Sequence, residues 1–265
     1  MRVLVTFAVD AEFAPWRRRH AFERVPARDS RRSERAPVFK GTIRGIQVDV
    51  LLTGIGWEAP FHNLARMGLR ELLAEKPDIC VSTGLAGGLN SNLHAGDVVV
   101  AEELILRQES PRVRSNRTIL DAAVRSGAKL VETLITENHV VTEATAKSAL
   151  SQCGDIVDME SYHILEMISG TQIPAVTVRA ISDTSAEDLP LDFSKVVTRD
   201  GGVRKKELFL SIARQPSRVP KLFRFGAQSR KAAISLADFL DRFIAVLGDF
   251  GTDGRKLHSG QAAAR

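Results

Sequence analysis

Short apolar runs with no polar face, alternating with segments of helical period, narrow the folds open to this chain more than any other feature. Runs at 2–9, 48–53, 79–83, 97–101, 129–136, 155–159 and 175–182 read as strands. Apolar on both faces, they suit strands covered from both sides. Between some of them, 57–74, 143–152, 161–169 and 227–247 carry helical period. Leu64, Met67, Leu69, Leu72 and Leu73 supply most of the first helix's stripe, which stops before Lys76-Pro77. Strands alternating with helices imply an α/β fold with a mainly parallel or mixed sheet and helices on both faces.

No internal repeat or low-complexity linker divides the 265 residues, and a chain this long can bury a sizeable core. One domain is expected over 1–248, with 249–265 a frayed tail. Charge is unevenly placed. Residues 17–35 hold eight Arg against three acids, and 199–231 hold ten Lys or Arg against two, although the whole chain is only +5. The body between them is therefore mildly acidic. The basic segment 199–231 interleaves Leu208, Phe209, Leu210, Ile212, Val219, Leu222, Phe223 and Phe225 with its cations. It fits an amphipathic helix pair with a solvated basic face, or a peripheral membrane contact lying on anionic headgroups.

Other partners and compartments are narrowed by composition. One Tyr and two Trp leave the basic runs without stacking aromatics apart from Phe, which argues against nucleic acid. No apolar run reaches 18 residues, and the N-terminus reads as a first strand rather than a signal peptide. A cytoplasmic protein is expected, with Cys80 and Cys153 reduced. Their spacing and that of the six His fit no metal site, so no metal is expected.

Chemistry-bearing residues collect where strands end, which is where open α/β sheets bind ligands. AVDAEF puts Asp10 and Glu12 in a loop past the first strand, and TGIG (53–56) is a glycine turn before a helix. STGLAGGL (82–89) is a glycine-rich loop, DMES (158–161) places Met159 and Glu160 at a helix start, and Asp183 ends the strand AVTVRAIS. Each also has a plain reading. Glycines make tight turns, Glu160 suits a helix dipole, and Asp183 could cap a helix. AGG lacks the GxGxxG spacing and GKS ending of nucleotide loops.

Taken in order, GIG (54–56), KPD (76–78), TGLAGGL (83–89), GD (96–97), Met159-Glu160 and VRAISD (178–183) resemble the nucleoside phosphorylase and nucleosidase superfamily over roughly residues 1–195. The likeness is strongest to 5′-methylthioadenosine/S-adenosylhomocysteine nucleosidases. It implies a single-domain, three-layer αβα sandwich around a mixed, twisted sheet that partly closes into a barrel, and a homo-oligomer. It also implies cleavage of a purine N-glycosidic bond. Asp183 would be the general acid at purine N7, which requires its carboxyl to be held up by burial, and Glu12 would orient and deprotonate the attacking water. Glu160 would hold the two ribose hydroxyls and Met159 would wall the sugar. The Gly87-Gly88 backbone would let substrate approach closely, with Leu85 and Ala86 beside it in the substrate site, and Val140 and Val141 would flank the base. No cofactor is implied, phosphate being the one co-substrate the superfamily uses.

Two departures bear on the substrate. Leu85 stands where the methylthioadenosine nucleosidases carry Ser, and the long basic segment after Asp183 has no counterpart in that compact family. EDLPLDF (187–193) followed by a basic segment is similar instead to the hopanoid-associated branch, whose members remove adenine from adenosylhopane. Leu85 and the apolar residues of 199–231 would suit such a lipid-linked nucleoside. An acid rather than a phosphate loop beside the first strand favours water over phosphate. The competing readings are phosphorolysis, futalosine hydrolase, and a non-catalytic nucleoside- or lipid-binding protein at a membrane surface. Retention of all three acids argues against the last.

Overall fold

The computed structural model describes residues 1–26, 36–56, 61–106, 111–190 and 219–252. Its centre is an eleven-stranded mixed sheet. In chain order the elements are β1 (Arg2–Phe7), α1 (Asp10–Arg17), β2 (Glu23–Arg24), β3 (Val38–Ile43), β4 (Ile46–Leu52), α2 (Phe61–Ala74), β5 (Ile79–Ser82) and β6 (Leu85–Gly88). They continue with β7 (Val98–Leu106), β8 (Val113–Arg114), α3 (Arg117–Arg125), β9 (Lys129–Thr136), α4 (Ala144–Leu150), β10 (Ile156–Asp158), α5 (Ser161–Ser169) and β11 (Ala175–Asp183). The last helix, α6, spans Val219–Thr252.

Strand order is β2-β3-β4-β1-β5-β11-β6-β10-β9-β7-β8, with β11 also paired to β7. That extra pairing closes β11, β6, β10, β9 and β7 into a ring. The sheet is thus an open wing on one side and a small barrel on the other, as the resemblance implied. β11 is the hinge of the two, running parallel to β5 near Ala175 and parallel to β6 near its end.

Helices cover both faces of the wing. Phe13 and Trp16 of α1, Ile119 to Ala123 of α3 and Ala232 to Leu247 of α6 pack on one face with Val3, Val5, Val48 and Val178. Leu69, Leu72 and Leu73 of α2 and Tyr162 to Ile168 of α5 pack on the other with Leu4, Leu51 and Ile181. Alternate residues of each central strand feed opposite layers, the period-2 geometry of a strand buried twice. α1 and α6 are further pinned through Asp241, which accepts from Trp16 Nε1 at 2.8 Å and faces His20 Nε2 at 2.7 Å.

Several boundaries differ from the sequence expectation. Asp10 and Glu12 lie in the first turn of α1, not in a loop. The glycine-rich LAGG stretch is a strand, β6, held between β10 and β11. The final helix begins at Val219 rather than 227, so the end of the basic segment is its first turns. Pro220 is compatible with this, because a helix's first turn needs no donor there. Residues 199–218 of that segment, and 253–265 of the expected tail, lie outside the described residues. Cys80 and Cys153 are both free thiols. Among the described residues no helix is long and apolar enough to cross a membrane.

Candidate active site

The carboxyl ends of β1, β4, β9, β10 and β11 open onto one cavity of about 650 Å³, within the usual range for small-molecule sites. Of the residues proposed from the sequence, Glu12, Leu85, Ala86, Gly87, Val140, Val141, Met159, Glu160 and Asp183 line it, and Gly88 does not. Ile55, from the GIG turn, lines it as well.

Glu12 is aimed by the start of α1. Its Oε2 accepts from the backbone N–H of Ala8 at 3.0 Å, folding back over the helix N-terminus in the manner of a capping-box acid. Oε1 accepts from Leu85 N at 3.2 Å on β6. Burial pushes this carboxyl up, against the pull of Arg179 and the backbone donors. Gly84 explains how it fits, because a side chain there would put Cβ 3.2 Å from Glu12 Oε2. At φ +150 that backbone also favours glycine.

Glu160 stands at the N-cap of α5 but caps nothing. It turns into the cavity, where Oε1 accepts from Gly56 N at 2.6 Å, so the GIG turn is a clasp for this acid. Burial, with the Asp158 charge close by, pushes its carboxyl up to about 8. Met159, one residue earlier, packs against the same turn, 3.2 Å from where a Gly56 Cβ would sit.

Asp183 owes its aim to a bulge. β11 keeps register with β6 through Ile181 opposite Ala86, then slips so that Asp183 faces Gly87. Bulges of this kind re-aim a side chain at a strand's end. A Cβ on Gly87 would approach Asp183 Oδ2 to 3.2 Å, so the second useful glycine of the TGLAGGL stretch makes room for this acid. Ser182 Oγ donates to Oδ1 at 2.6 Å, and Lys147 Nζ donates to Oδ2 at 2.5 Å. Burial pushes the carboxyl up while Lys147 opposes it.

Beneath these acids lies a buried polar layer that sequence reading did not assign. Arg179 donates through Nε to Asp158 Oδ2 at 2.9 Å and through a terminal nitrogen to Ser82 Oγ at 3.1 Å. Asp158 also accepts from Thr136 Oγ1 at 2.8 Å and from the Ser161 hydroxyl. An arginine inside an otherwise apolar strand was the available signal, since a buried cation must be paired. Lys147 gave no such signal, because ATAKSAL reads as a surface helix.

The cavity continues away from the acids between α1 and α6. Ala11, Ala14, Pro15 and Arg18 line it from one helix. Phe225, Ser229, Arg230, Ala233 and Ile234 line it from the other, with Leu189 between. The spacing along each helix is one face at three- and four-residue steps.

Three acids converge on one cavity from three strand ends, above a paired buried cation, as expected of an enzyme of the nucleoside phosphorylase and nucleosidase class. The chain belongs to the Phosphorylase superfamily, whose family profile matches residues 2–214. It is 28% identical to a 5′-methylthioadenosine/S-adenosylhomocysteine nucleosidase of Glaesserella parasuis over 187 residues, 60% of this chain and 77% of that protein. Among solved structures, futalosine hydrolase of Helicobacter pylori superposes with a TM-score of 0.67 at 17% identity, covering 92% of this chain and 97% of its own. The Helicobacter pylori 5′-methylthioadenosine/S-adenosylhomocysteine nucleosidase gives 0.68 at 15% identity, covering 92% and 98%. At these identities the likeness concerns the fold.

Proposed function

We propose that this enzyme hydrolyses a 5′-modified adenosine and releases adenine, and that the 5′ substituent is large and apolar, as in adenosylhopane. The observation that carries the reading is the division of one cavity into an acid end and a long wall on α1 and α6 that is mostly small and apolar, with Arg18 and Arg230 at its edge. A water held by Glu12 attacks the anomeric carbon and gives its proton to Glu12. The C1′–N9 bond breaks as Asp183 delivers a proton to N7, so adenine leaves neutral. Glu160 accepts from both ribose hydroxyls, and Met159 packs against the sugar. Ala86 and Gly87 let the nucleoside lie close to β6, and Val140 and Val141 flank the base. Activity should rise with pH as Glu12 ionises and fall as Asp183 does.

Water is favoured over phosphate because the first strand leads into the acid Glu12 rather than into a basic phosphate loop. No cofactor is needed for this chemistry. The large substituent is supported by the α1–α6 wall and by Leu85 where a small hydroxyl would suit a thio-nucleoside. Phe223, 76% exposed between Lys221 and Arg224 at the start of α6, suits contact with an anionic lipid surface.

The test is base release from methylthioadenosine, adenosylhomocysteine, adenosine, inosine, futalosine and an adenosyl-lipid, with and without phosphate, using Asp183→Asn as control. Adenine from the adenosyl-lipid without phosphate supports the reading. Release only with phosphate would make the enzyme a phosphorylase, and hypoxanthine from futalosine would move it to the 6-oxo purines. No release from any substrate would leave a binding protein.

A further inference from the structure

Lys147 is fully buried, with a side chain 0% exposed. Its Nζ has three acceptors: Asp183 Oδ2 at 2.5 Å, Thr184 O at 3.0 Å and Glu187 O at 2.8 Å. An ammonium has three N–H donors, whereas a neutral amine has two and a lone pair that one acceptor would face. The pocket is therefore built for the cation, and a buried cation is tolerable only when paired and fully hydrogen-bonded.

All three acceptors lie within 183–187, directly after the bulge that aims Asp183. That turn is itself tied down. Glu187 accepts from Thr184 N at 3.1 Å, from Arg224 at 2.6 Å and from Gln228 at 3.1 Å, the last two on α6. The groups facing the Asp183 carboxyl are few. Lys147 comes from α4, the Ser182 hydroxyl from β11 and the Glu187 carboxylate from the turn, while β6 offers the Gly87 backbone. Arg224 of α6 is taken up by Glu187.

We propose that Lys147 is a positioning residue for Asp183: it fixes the carboxyl plane and sets the pH range over which that group can give up its proton. The proposal rests on the reading of Asp183 as the general acid. Burial alone would grip the proton too tightly for useful transfer, since an acid works best near its operating pH. A cation 2.5 Å away in a dry site opposes that grip strongly. With Oδ2 held by Lys147 and Oδ1 by Ser182, the carboxyl also loses its freedom to rotate away from the base.

The test needs no substrate in its first arm. The Asp183 carboxyl is titrated by carbon-13 NMR in full-length protein carrying carboxyl-labelled Asp, its signal assigned by loss in Asp183→Asn. In Lys147→Met it should titrate at a pH about 1–3 higher than in the parent, and in Lys147→Arg close to the parent. Should the Met variant not fold, Lys147→Gln, similar in length and uncharged, carries the same readout. The second arm uses whichever nucleoside the parent cleaves. Lys147→Met should lower kcat on the order of 10-fold at neutral pH with KM little changed, and move the alkaline limb upward, while Lys147→Arg restores the limb. An Asp183 titration unchanged in Lys147→Met or Lys147→Gln, or a loss in KM alone, would overturn the proposal and leave Lys147 a tie for the turn. Failure of every substrate would sink the hydrolase reading while the titration still decides the Lys147–Asp183 coupling.

Discussion

The two ends of the cavity are built on different terms. At the acid end each carboxyl is held by fixed donors, from the backbone for Glu12 and Glu160 and from buried side chains for Asp183. Glu12 rests on the N–H groups of Ala8 and Leu85, Glu160 on that of Gly56, and Asp183 on Ser182 and Lys147. At the other end, between α1 and α6, the wall is made of side chains alone, from Ala11 to Arg18 and from Phe225 to Ile234. Bond breaking needs groups fixed before the substrate arrives, and backbone and buried side-chain donors fix them. Substrate choice needs surfaces that vary without touching that geometry, and the side chains on these two helix faces supply them. The contrast predicts that changes at the acid end act on every substrate, and changes at the helix wall only on some.

The largest effect should come from Asp183→Asn. It keeps the shape and removes the proton, so kcat should fall about 10²–10⁴-fold whatever the 5′ substituent. A loss confined to one substrate would break the comparison at its base.

Next is Glu160→Gln, read as stability rather than rate. In the folded enzyme this carboxyl holds its proton up to about 8, far above the ordinary value of 4.5. Between those pH values the native state binds more protons than the unfolded chain, so stability falls as pH rises through that window. The Gln variant carries no such cost and should be more stable than the parent near pH 8 by about a few kcal/mol, the order implied by a carboxyl held that far above its ordinary range. The gain should vanish at pH 4. Thermal melts of the unliganded proteins across that range check it, and equal slopes for both would show that Glu160 is already ionised and satisfied. The same substitution should weaken nucleoside binding, so stability and function oppose each other at this residue.

A smaller effect sharpens the other half of the contrast. Phe225→Ala removes a large apolar side chain from the α6 wall. It should raise KM about 10-fold for a nucleoside with a long apolar 5′ substituent, the low end of what burying an aromatic side chain is worth. For methylthioadenosine or adenosine KM should hardly move. Uniform loss would mean that α6 supports the acid end through the Glu187 contacts instead of selecting substrate.

How much of this could be read from residues alone follows the same division. The apolar runs at 2–9, 129–136 and 175–182 became β1, β9 and β11 almost unchanged, because two-sided burial leaves a periodic mark. The acids were legible because they sit at the ends of those runs. What escaped was made by contact at long range. Nothing in ATAKSAL shows that Lys147 meets Asp183, 36 residues on. β6 escaped because LAGG has turn composition, yet it sits inside the barrel where small residues let β11 and Asp183 come close. α1 escaped because eight residues with Pro15 among them give little amphipathic signal. The α6 wall was visible only as alternation of apolar and basic residues, and α6 is tied to α1 beside the cavity by the Trp16–Asp241 hydrogen bond across more than two hundred residues.

Leu85 tests where the boundary between the two ends falls. Its backbone N–H belongs to the acid end, donating to Glu12, while its half-buried side chain lines the cavity and packs against the core of the wing. Leu85→Ser keeps the first and removes the second, trading an apolar branch for a small hydroxyl. A fully buried Leu truncated to Ala costs about 2–5 kcal/mol, and a side chain at a cavity edge costs less because solvent or substrate fills the gap. About 1 kcal/mol of preference is then expected, a shift of roughly fivefold in relative kcat/KM away from long apolar substituents and towards small thio-nucleosides. kcat itself should stay near the parent value, since Glu12 keeps its donor. If kcat drops as far as in Asp183→Asn, the Leu85 side chain is part of what holds Glu12 against β6, and the boundary lies one residue deeper into the helix wall.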